Sequence, residues 1–328
     1  MKMRTLGTTD IQASVVGLGT WAMGGWMWGG HDDANSIAAV RESIDRGITL
    51  IDTAPAYGLG RSEEVVGRAI EGRRDQVVLA TKCGMIWHDD AKGKFFVEED
   101  GQPINRYLGP ESIQYELEQS LTRLRTDYID LYITHWQDPT TPIEATMTKL
   151  LELKKAGKIR AIGVSNVNQT ELQEYLKFGP VDAIQECYSA IDRGIESTLL
   201  PICKNNGVSC LSYSSMALGL LSGRMTPTRQ FEGDDQRKNN PRFSVENRKK
   251  VADFFADIEP LCSQYHATPG QIIIAWTLQQ PGITYALCGA RNPSQAAENA
   301  RAGEVELSDT DCARIEAARA KHLSSIDD

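Results

Sequence analysis

Short apolar, β-branched runs recur along this chain, separated by longer stretches in which apolar residues return every three or four positions. The runs are VVGLG at 15–19, TLI at 49–51, VVLAT at 77–81, IDLYIT at 129–134, AIGV at 161–164, VDAIQ at 181–185, VSCLSY at 208–213 and TYALC at 284–288. Runs of this kind read as buried strands, and the spacing between them as amphipathic helices. The helices are expected near 34–46, 62–71, 110–125, 142–156, 169–177, 194–206, 245–280 and 293–302, the 245–280 interval holding two that separate at Thr268-Pro269. A last helix, about 308–321, starts from Ser308 as N-cap, with Asp309 and Asp311 in the first turn where the macrodipole favours acids. Gly47, Gly157 and Gly207 each close a helix ahead of an apolar run, and Lys154 and Lys155 stand in the last turn of one of them.

Eight such alternations predict a parallel sheet, and eight units favour a closed (β/α)8 TIM barrel. The rival, an open doubly wound sheet, announces itself by a G-x-G-x-x-G phosphate loop after the first strand, and GLGTWAMGG lacks that spacing. One barrel domain is expected to occupy 1–328. Before it, a hairpin bending around 7–10 is expected to plug one end. Two long loops stand out, 83–109 after strand three and 214–244 after strand seven. The second is polar and mixed in charge, and is expected to be flexible without ligand.

Composition narrows the function classes. There are 35 Lys+Arg against 44 Asp+Glu, a net charge of −9, where a nucleic-acid or membrane-surface partner would want a basic face. No run approaches the ~20 apolar residues of a membrane span, and MKMRTLGTTD has no apolar core of a secretory signal. Seven scattered cysteines without a C-x-x-C pair suit reduced thiols in a cytoplasm, with neither a disulfide framework nor a zinc site.

In a TIM barrel the chemistry sits at the carboxyl ends of the strands. Those ends are Gly19-Thr20-Trp21, Asp52, Lys82, His135, Ser165-Asn166, Gln185, Tyr213 and Gly289-Ala290-Arg291. A Lys and an Asp converging on a partly desolvated space must pair or shift their pKa values. A strand-tying salt bridge would account for Asp52 and Lys82 alone. It leaves His135 and Tyr57, at the same mouth, unexplained.

GLGTW (17–21), DTAPAYGLGRSEEVVG (52–67), ATKCG (80–84), THW (134–136), IGVSN (162–166) and GARNPSQAAEN (289–299) together resemble the aldo-keto reductase superfamily, in order from residue 4 to about 320. The long loop after strand three and the GARNPSQAAEN segment resemble its bacterial branch of inositol-linked and methylglyoxal reductases. The resemblance implies a nicotinamide-dependent oxidoreductase with Asp52, Tyr57, Lys82 and His135 as catalytic residues. Carbonyl reduction by hydride needs a proton delivered to oxygen, and Tyr57 is the candidate acid, an unperturbed phenol having a pKa near ~10. Lys82 is expected to lower that value, Asp52 to hold the ammonium, and His135 to orient the carbonyl.

For the cofactor, the resemblance implies contacts from Ser165, Asn166 and Gln185 to the carboxamide and stacking of Tyr213 on the nicotinamide. Gly19, Thr20 and Trp21 line the first loop. Ser214, Ser215, Met216, Ala217 and Leu218, with Arg224 nearby, follow the pyrophosphate, and Gly289, Arg291, Gln295, Glu298 and Asn299 surround the adenosine. Asn292 or Ser294 caps the helix there. The sequence departs from the family pattern where Gly289 and Gln295 replace a common Lys and Arg, and where Ser215 and Cys288 replace prolines. Arg291 is then the remaining bidentate grip for a 2′-phosphate, so NADPH is expected, with NADH as the alternative. Trp21, Trp26, Trp28, Trp87 and Trp136, with Tyr57 and His135, are expected to form an aromatic funnel for a small carbonyl substrate; Trp276 reads as core. A monomer is expected from the family.

Three other features have plainer readings. The H-D-D tripeptides at 31–33 and 88–90 could ligate a metal, but Asp32 or Asp33 is better read as a helix start. No metal is expected. Cys83 beside Lys82 reads as a packed small side chain. Two functional alternatives stand beside the reductase: a Schiff-base lyase with Lys82 as nucleophile, and a nucleotide-binding regulatory module of the same fold with negligible turnover, as in the accessory subunits of certain potassium channels.

Overall fold

The computed structural model describes residues 1–89 and 91–326. Strands β1 (Met3–Thr5) and β2 (Gln12–Ser14) form the expected hairpin. There follow β3 (Val16–Gly19), α1 (Asp33–Asp45), β4 (Leu50–Asp52), α2 (Arg61–Ile70) and β5 (Val78–Cys83). Then come β6 (Met85–Ile86), β7 (Lys94–Glu99), β8 (Gln102–Arg106), α3 (Pro110–Leu124), β9 (Ile129–Thr134), α4 (Ile143–Lys155) and β10 (Ile159–Ser165). The remainder is α5 (Gln169–Phe178), β11 (Ala183–Cys187), α6 (Leu199–Asn206), β12 (Ser209–Tyr213), α7 (Val245–Tyr265), α8 (Pro269–Gln279), β13 (Tyr285–Gly289), α9 (Pro293–Ala302) and α10 (Asp309–His322). Strands β3, β4, β5, β9, β10, β11, β12 and β13 pair in parallel in that order, and β13 returns to β3. The fold is a closed (β/α)8 barrel.

Strand alternation splits the core in two. Leu50, Ala80, Leu131, Ile133, Ala161, Ala183, Leu211 and Leu287 fill the interior, while Ile51, Leu79, Tyr132, Ile162, Val164 and Ile184 pack outward against the helices. The hairpin contributes Leu6, Ile11 and Ala13 to the interior, plugging the amino-terminal end. Arg4 fastens it, donating to the carbonyls of Leu278, Ile283 and Thr284 at 3.0, 3.0 and 2.9 Å.

Helix ends follow local chemistry. Asp32 caps α1, Ser308 caps α10 and Asn292 caps α9, each side chain accepting from a backbone N–H three residues on. Gly207 closes α6 at φ +67°.

Two expectations are corrected. The helix expected from 194 starts at Leu199, because 194–198 forms turns in which the Ile195 carbonyl accepts from both Leu199 and Leu200. The segment 83–109 is no plain loop: β6, β8 and β7 form an antiparallel sheet in that order. Its hairpin turns at Asp100 (φ +50°) and Gly101 (φ +80°), the Asp-Gly pair that a tight turn with two positive φ angles selects. The segment 214–244 carries three short 3-10 turns, at Ala217–Ser222, Gln236–Lys238 and Pro241–Phe243.

Candidate active site

The inward register of β4 and β5 places Asp52 and Lys82 side by side at the carboxyl end. Lys82 is wholly buried, and its ammonium donates to both Asp52 oxygens at 2.9 Å and to the Thr53 carbonyl at 2.8 Å. Its neighbours on β5 point the other way: Thr81 bonds Glu63, and Cys83 packs in the outer core with burial pushing its thiol well up. Burial pulls Lys82 below the usual lysine value, opposed by Asp52. Gln185, from β11, donates to Asp52 at 2.8 Å, so the β4 carboxylate is held from two other strands.

Tyr57 lies on the turn after β4. That turn packs backbone to backbone on the loop after β3: a Cβ on Gly58 would stand 2.3 Å from the Gly24 carbonyl, and one on Gly24 2.5 Å from that of Tyr57. The close approach requires glycine on both sides. The Lys82 ammonium is 4.9 Å from the centre of the Tyr57 ring, His135 meets that ring edge-on at 5.7 Å, and Trp21 lies 6.2 Å away at 29°. Burial, then Asp52, holds the phenol well above its ordinary pKa, contrary to the expected lowering. Burial, then Lys82, holds His135 well below the usual imidazole value. A protonated phenol and a neutral imidazole therefore meet at one spot. Among the described residues neither side chain has a hydrogen-bond partner.

Alongside, Asn166 sits in the left-handed region (φ +55°), donating to the His135 carbonyl at 2.8 Å and accepting from the Tyr213 hydroxyl at 2.8 Å. Ser165 donates to the Gln185 carbonyl at 2.6 Å. Beyond Tyr213, Ser214, Ala217 and Leu218 all have positive φ, the strained non-glycine backbone that clusters at ligand clamps.

Asp52, Tyr57, His135, Asn166, Gln185 and Tyr213 border a cleft of about 730 Å³, with Lys82 buried behind them. Of the candidate cofactor residues, Gly19, Trp21, Asp52, Ser165, Asn166, Gln185, Tyr213, Ser214, Ser215, Met216, Leu218, Arg224, Gly289, Arg291, Gln295, Glu298 and Asn299 line it. Thr20 and Ala217 do not: both are fully buried beneath it, Thr20 donating to the Asp52 carbonyl. Trp26, Trp28 and Trp136 line it as well, whereas Trp87 packs behind the wall with Met85 and Ile104. Trp276 is core. Sequence reasoning missed Met85, Phe96 and Val97, which the β6–β8 sheet brings to the cleft; the Asp-Gly hairpin signal was the clue.

A bridge over the cleft was also missed. Asp234 accepts from the N–H groups of Met27 and Gly29 at 2.8 and 2.9 Å, and Gln236 N–H reaches the Met27 carbonyl at 3.0 Å. Arg291 joins the same loop, donating to the Trp28 and Gly30 carbonyls at 3.0 and 2.8 Å.

Among the described residues no three His, Cys, Asp or Glu side chains converge on a metal position. His31 contacts Asp33, and His88 packs on Tyr115 at 4.4 Å with the rings tilted by 44°. Asp90 lies outside the described residues. No helix described is long and apolar enough to cross a membrane.

A barrel whose mouth couples a buried Lys–Asp pair to a Tyr and a His, beside a long cleft lined with amides and arginines, defines a nicotinamide-dependent oxidoreductase of the (β/α)8 class. The aldo/keto reductase family model matches residues 15–320, and the chain belongs to that family. It is similar to the NADH-specific methylglyoxal reductase of Escherichia coli, 44% identical over 317 residues that cover 95% of this chain and 96% of that protein. Among solved structures, the glycerol dehydrogenase AKR11B4 from Gluconobacter oxydans superposes with a TM-score of 0.88 at 35% identity, covering 99% and 97% of the two chains. An aldo-keto reductase from Klebsiella pneumoniae in complex with NADPH superposes at 0.73 and 29% identity, covering 98% and 96%.

Proposed function

We propose that this protein reduces small aldehydes, α-dicarbonyls of the methylglyoxal kind or sugar-like carbonyls to alcohols, with Tyr57 as proton donor and NADPH as cofactor. The observation that carries the reading is the meeting of the Tyr57 and His135 rings, 5.7 Å apart, in front of the buried Lys82–Asp52 pair. The cleft suits a dinucleotide: its lining carries the amides of Asn166, Gln185, Gln295 and Asn299 together with four guanidinium groups. Bound there, the nicotinamide supplies hydride to the carbonyl carbon.

The chain's own part is the oxygen. A neutral His135 donates a hydrogen bond that orients the carbonyl, and Tyr57 transfers its proton as charge develops. Lys82 then faces the phenolate at close range, and Asp52 keeps the ammonium in place. Trp21, Trp26, Trp28 and Trp136 exclude water around the reacting group.

Two relatives differ in their cofactor, one named for NADH and one solved with NADPH. Four arginines line the cleft and bear on the choice, among them Arg229, whose side chain has no bonded partner among the described residues. Arg224 pairs with Glu298 and Arg237 with Asp235. Arg291, among the described residues, donates only to carbonyls, so its charge stays available to a 2′-phosphate. That supports NADPH. A monomer in the cytoplasm, with all seven cysteines as free thiols, completes the reading.

The test is titration with NADPH and with NADH, followed by tryptophan fluorescence, then addition of methylglyoxal or DL-glyceraldehyde while nucleotide absorbance is watched. Quenching and oxidation with NADPH are expected. Binding without turnover on any carbonyl would replace the reductase by a nucleotide-binding regulatory module.

A further inference from the structure

We propose that Glu116 and Asp138 are positioning residues for the carbonyl substrate: two buried acidic side chains that grip the backbone at the two hinges of the β6–β8 sheet and thereby set the wall facing Tyr57. The proposal rests on the reading that the cleft takes a carbonyl.

The sheet is a poor candidate for holding itself. It has three short strands and only a small apolar cluster, in which Ala56, Met85 and Ile104 are buried and Trp87, Phe96 and Trp136 pack against them. Yet it brings Met85, Phe96 and Val97 to the cleft, and Phe96 meets Trp136, the residue after His135, at 5.0 Å with the rings tilted by 40°. Where this wall stands decides what fits in front of the imidazole.

It leaves the barrel at Gly84 and returns at Leu108. The Gly84 N–H donates to Glu116 at 2.9 Å, and the Leu108 N–H donates to Asp138 at 2.9 Å. The hinges are also tied together, Tyr107 N–H reaching the Gly84 carbonyl at 3.2 Å. Each acid is fixed by its second oxygen: Glu116 bonds Ser112 at 3.1 Å, and Asp138 accepts from the N–H and hydroxyl of Thr140 at 2.7 Å. Glu116 is 5% exposed and Asp138 7%. Among the described residues neither makes an ion pair, so each keeps an acid in the interior for the sake of a backbone N–H. Asp138 stands three residues beyond His135, which couples one hinge to the segment carrying the imidazole.

The groups around Glu116 are Glu63 of α2, Arg123 of α3, Cys83 of β5 and Tyr132 of β9. Burial pushes Glu116 up to about 8, against the pull of the Gly84 and Ser112 donors. At neutral pH the group is protonated, and glutamine is its near-isostere.

The experiment compares the wild type with Glu116→Gln, Glu116→Leu and Asp138→Asn. It measures NADPH affinity, KM and kcat for methylglyoxal and phenylglyoxal, and amide exchange of 94–106 against that of 159–165. At pH 7, Glu116→Leu should raise the KM for phenylglyoxal ~10-fold or more and speed exchange of 94–106 by a similar factor, a misplacement of order 1 Å being enough for such an effect. Its kcat, NADPH affinity and exchange at 159–165 should stay near wild type, as should every property of Glu116→Gln. Asp138→Asn should weaken the other hinge in the same direction. Unchanged KM and exchange in Glu116→Leu, or losses shared equally by NADPH binding, would overturn the proposal. Should Glu116→Leu fail to fold, the pH series decides: the wild-type KM for phenylglyoxal should rise above pH 8, where ionised Glu116 faces Glu63, while that of Glu116→Gln stays flat. Parallel series would overturn it. A wild type inactive on both carbonyls would fail the reductase reading instead, and the exchange rates would still judge the hinges.

Discussion

The two ends of the barrel hold buried charge in opposite ways. At the amino-terminal end, Asp130 accepts from the Leu79 N–H at 2.9 Å and pairs with Arg74 and Arg160, both at 2.7 Å. Asp182 there accepts from the Ile162 N–H at 2.8 Å and pairs with Lys154 at 2.9 Å. Each carboxylate, itself buried, serves a strand and a cation at once. At the carboxyl end, Asp52 and Lys82 satisfy each other, but Tyr57 and His135 are left with reactive atoms unmatched. One end uses its polar groups to complete the fold. The other withholds two of them for something that arrives from outside.

The sharpest way to break this contrast is Tyr57→Phe. Loss of the proton donor should lower kcat by about 10²–10⁴-fold with NADPH affinity retained, read from steady-state rates and fluorescence titration. Near-wild-type turnover would end the assignment. Asp130→Ala is the counterpart at the other end. Leaving Arg74 without its buried partner should destabilise the protein by about 3–5 kcal/mol in urea unfolding, while kcat per folded molecule holds. A parallel fall in kcat would show that the two ends are not separable.

Arg291→Ala should sharpen the picture of the mouth. It should weaken NADPH by about 1.5–3 kcal/mol, roughly 10- to 150-fold, and NADH far less. Equal losses would mean that Arg291 serves only the Trp28 and Gly30 carbonyls. The mildest effect is one of pH. Burial raises both Glu116 and Glu186 to about 8 from an ordinary 4.5, so the folded state binds more protons than the unfolded one across that window. Their contribution should therefore favour folding below about pH 4.5 and decline as pH rises to 8. Glu116→Gln should flatten that slope in urea unfolding followed between pH 5 and 8.

Most of the barrel was legible because each strand had to be apolar on both faces, and the strand register then fixed which side chains reach the mouth. Asp52, Lys82, His135, Ser165 and Gln185 could be found by reading the residue at each strand end. The bridge from Asp234 to Met27 and Gly29 could not, since a carboxylate bonded to backbone N–H groups leaves no trace in the partner's residue type. The same holds for Glu116 and Asp138. In β7, KFFVEE does not alternate cleanly, and a bulge between Phe95 and Val97 explains why. Thr20 followed a strand end and was expected at the cofactor, but its short hydroxyl turns down to the Asp52 carbonyl and to Ser62.

The seam between β3 and β13 bears on how this chain folds. It joins Gly17 to Leu287, and Arg4 reaches across the same gap to carbonyls of 278–284. Every other barrel pairing can form between neighbours in sequence once a helix has crossed over, but this one must wait for the last strand. Until then β3 is an open edge, and the hairpin has only part of its socket. Closure should thus be a late, slow event that joins the first strands to the last in one cooperative step.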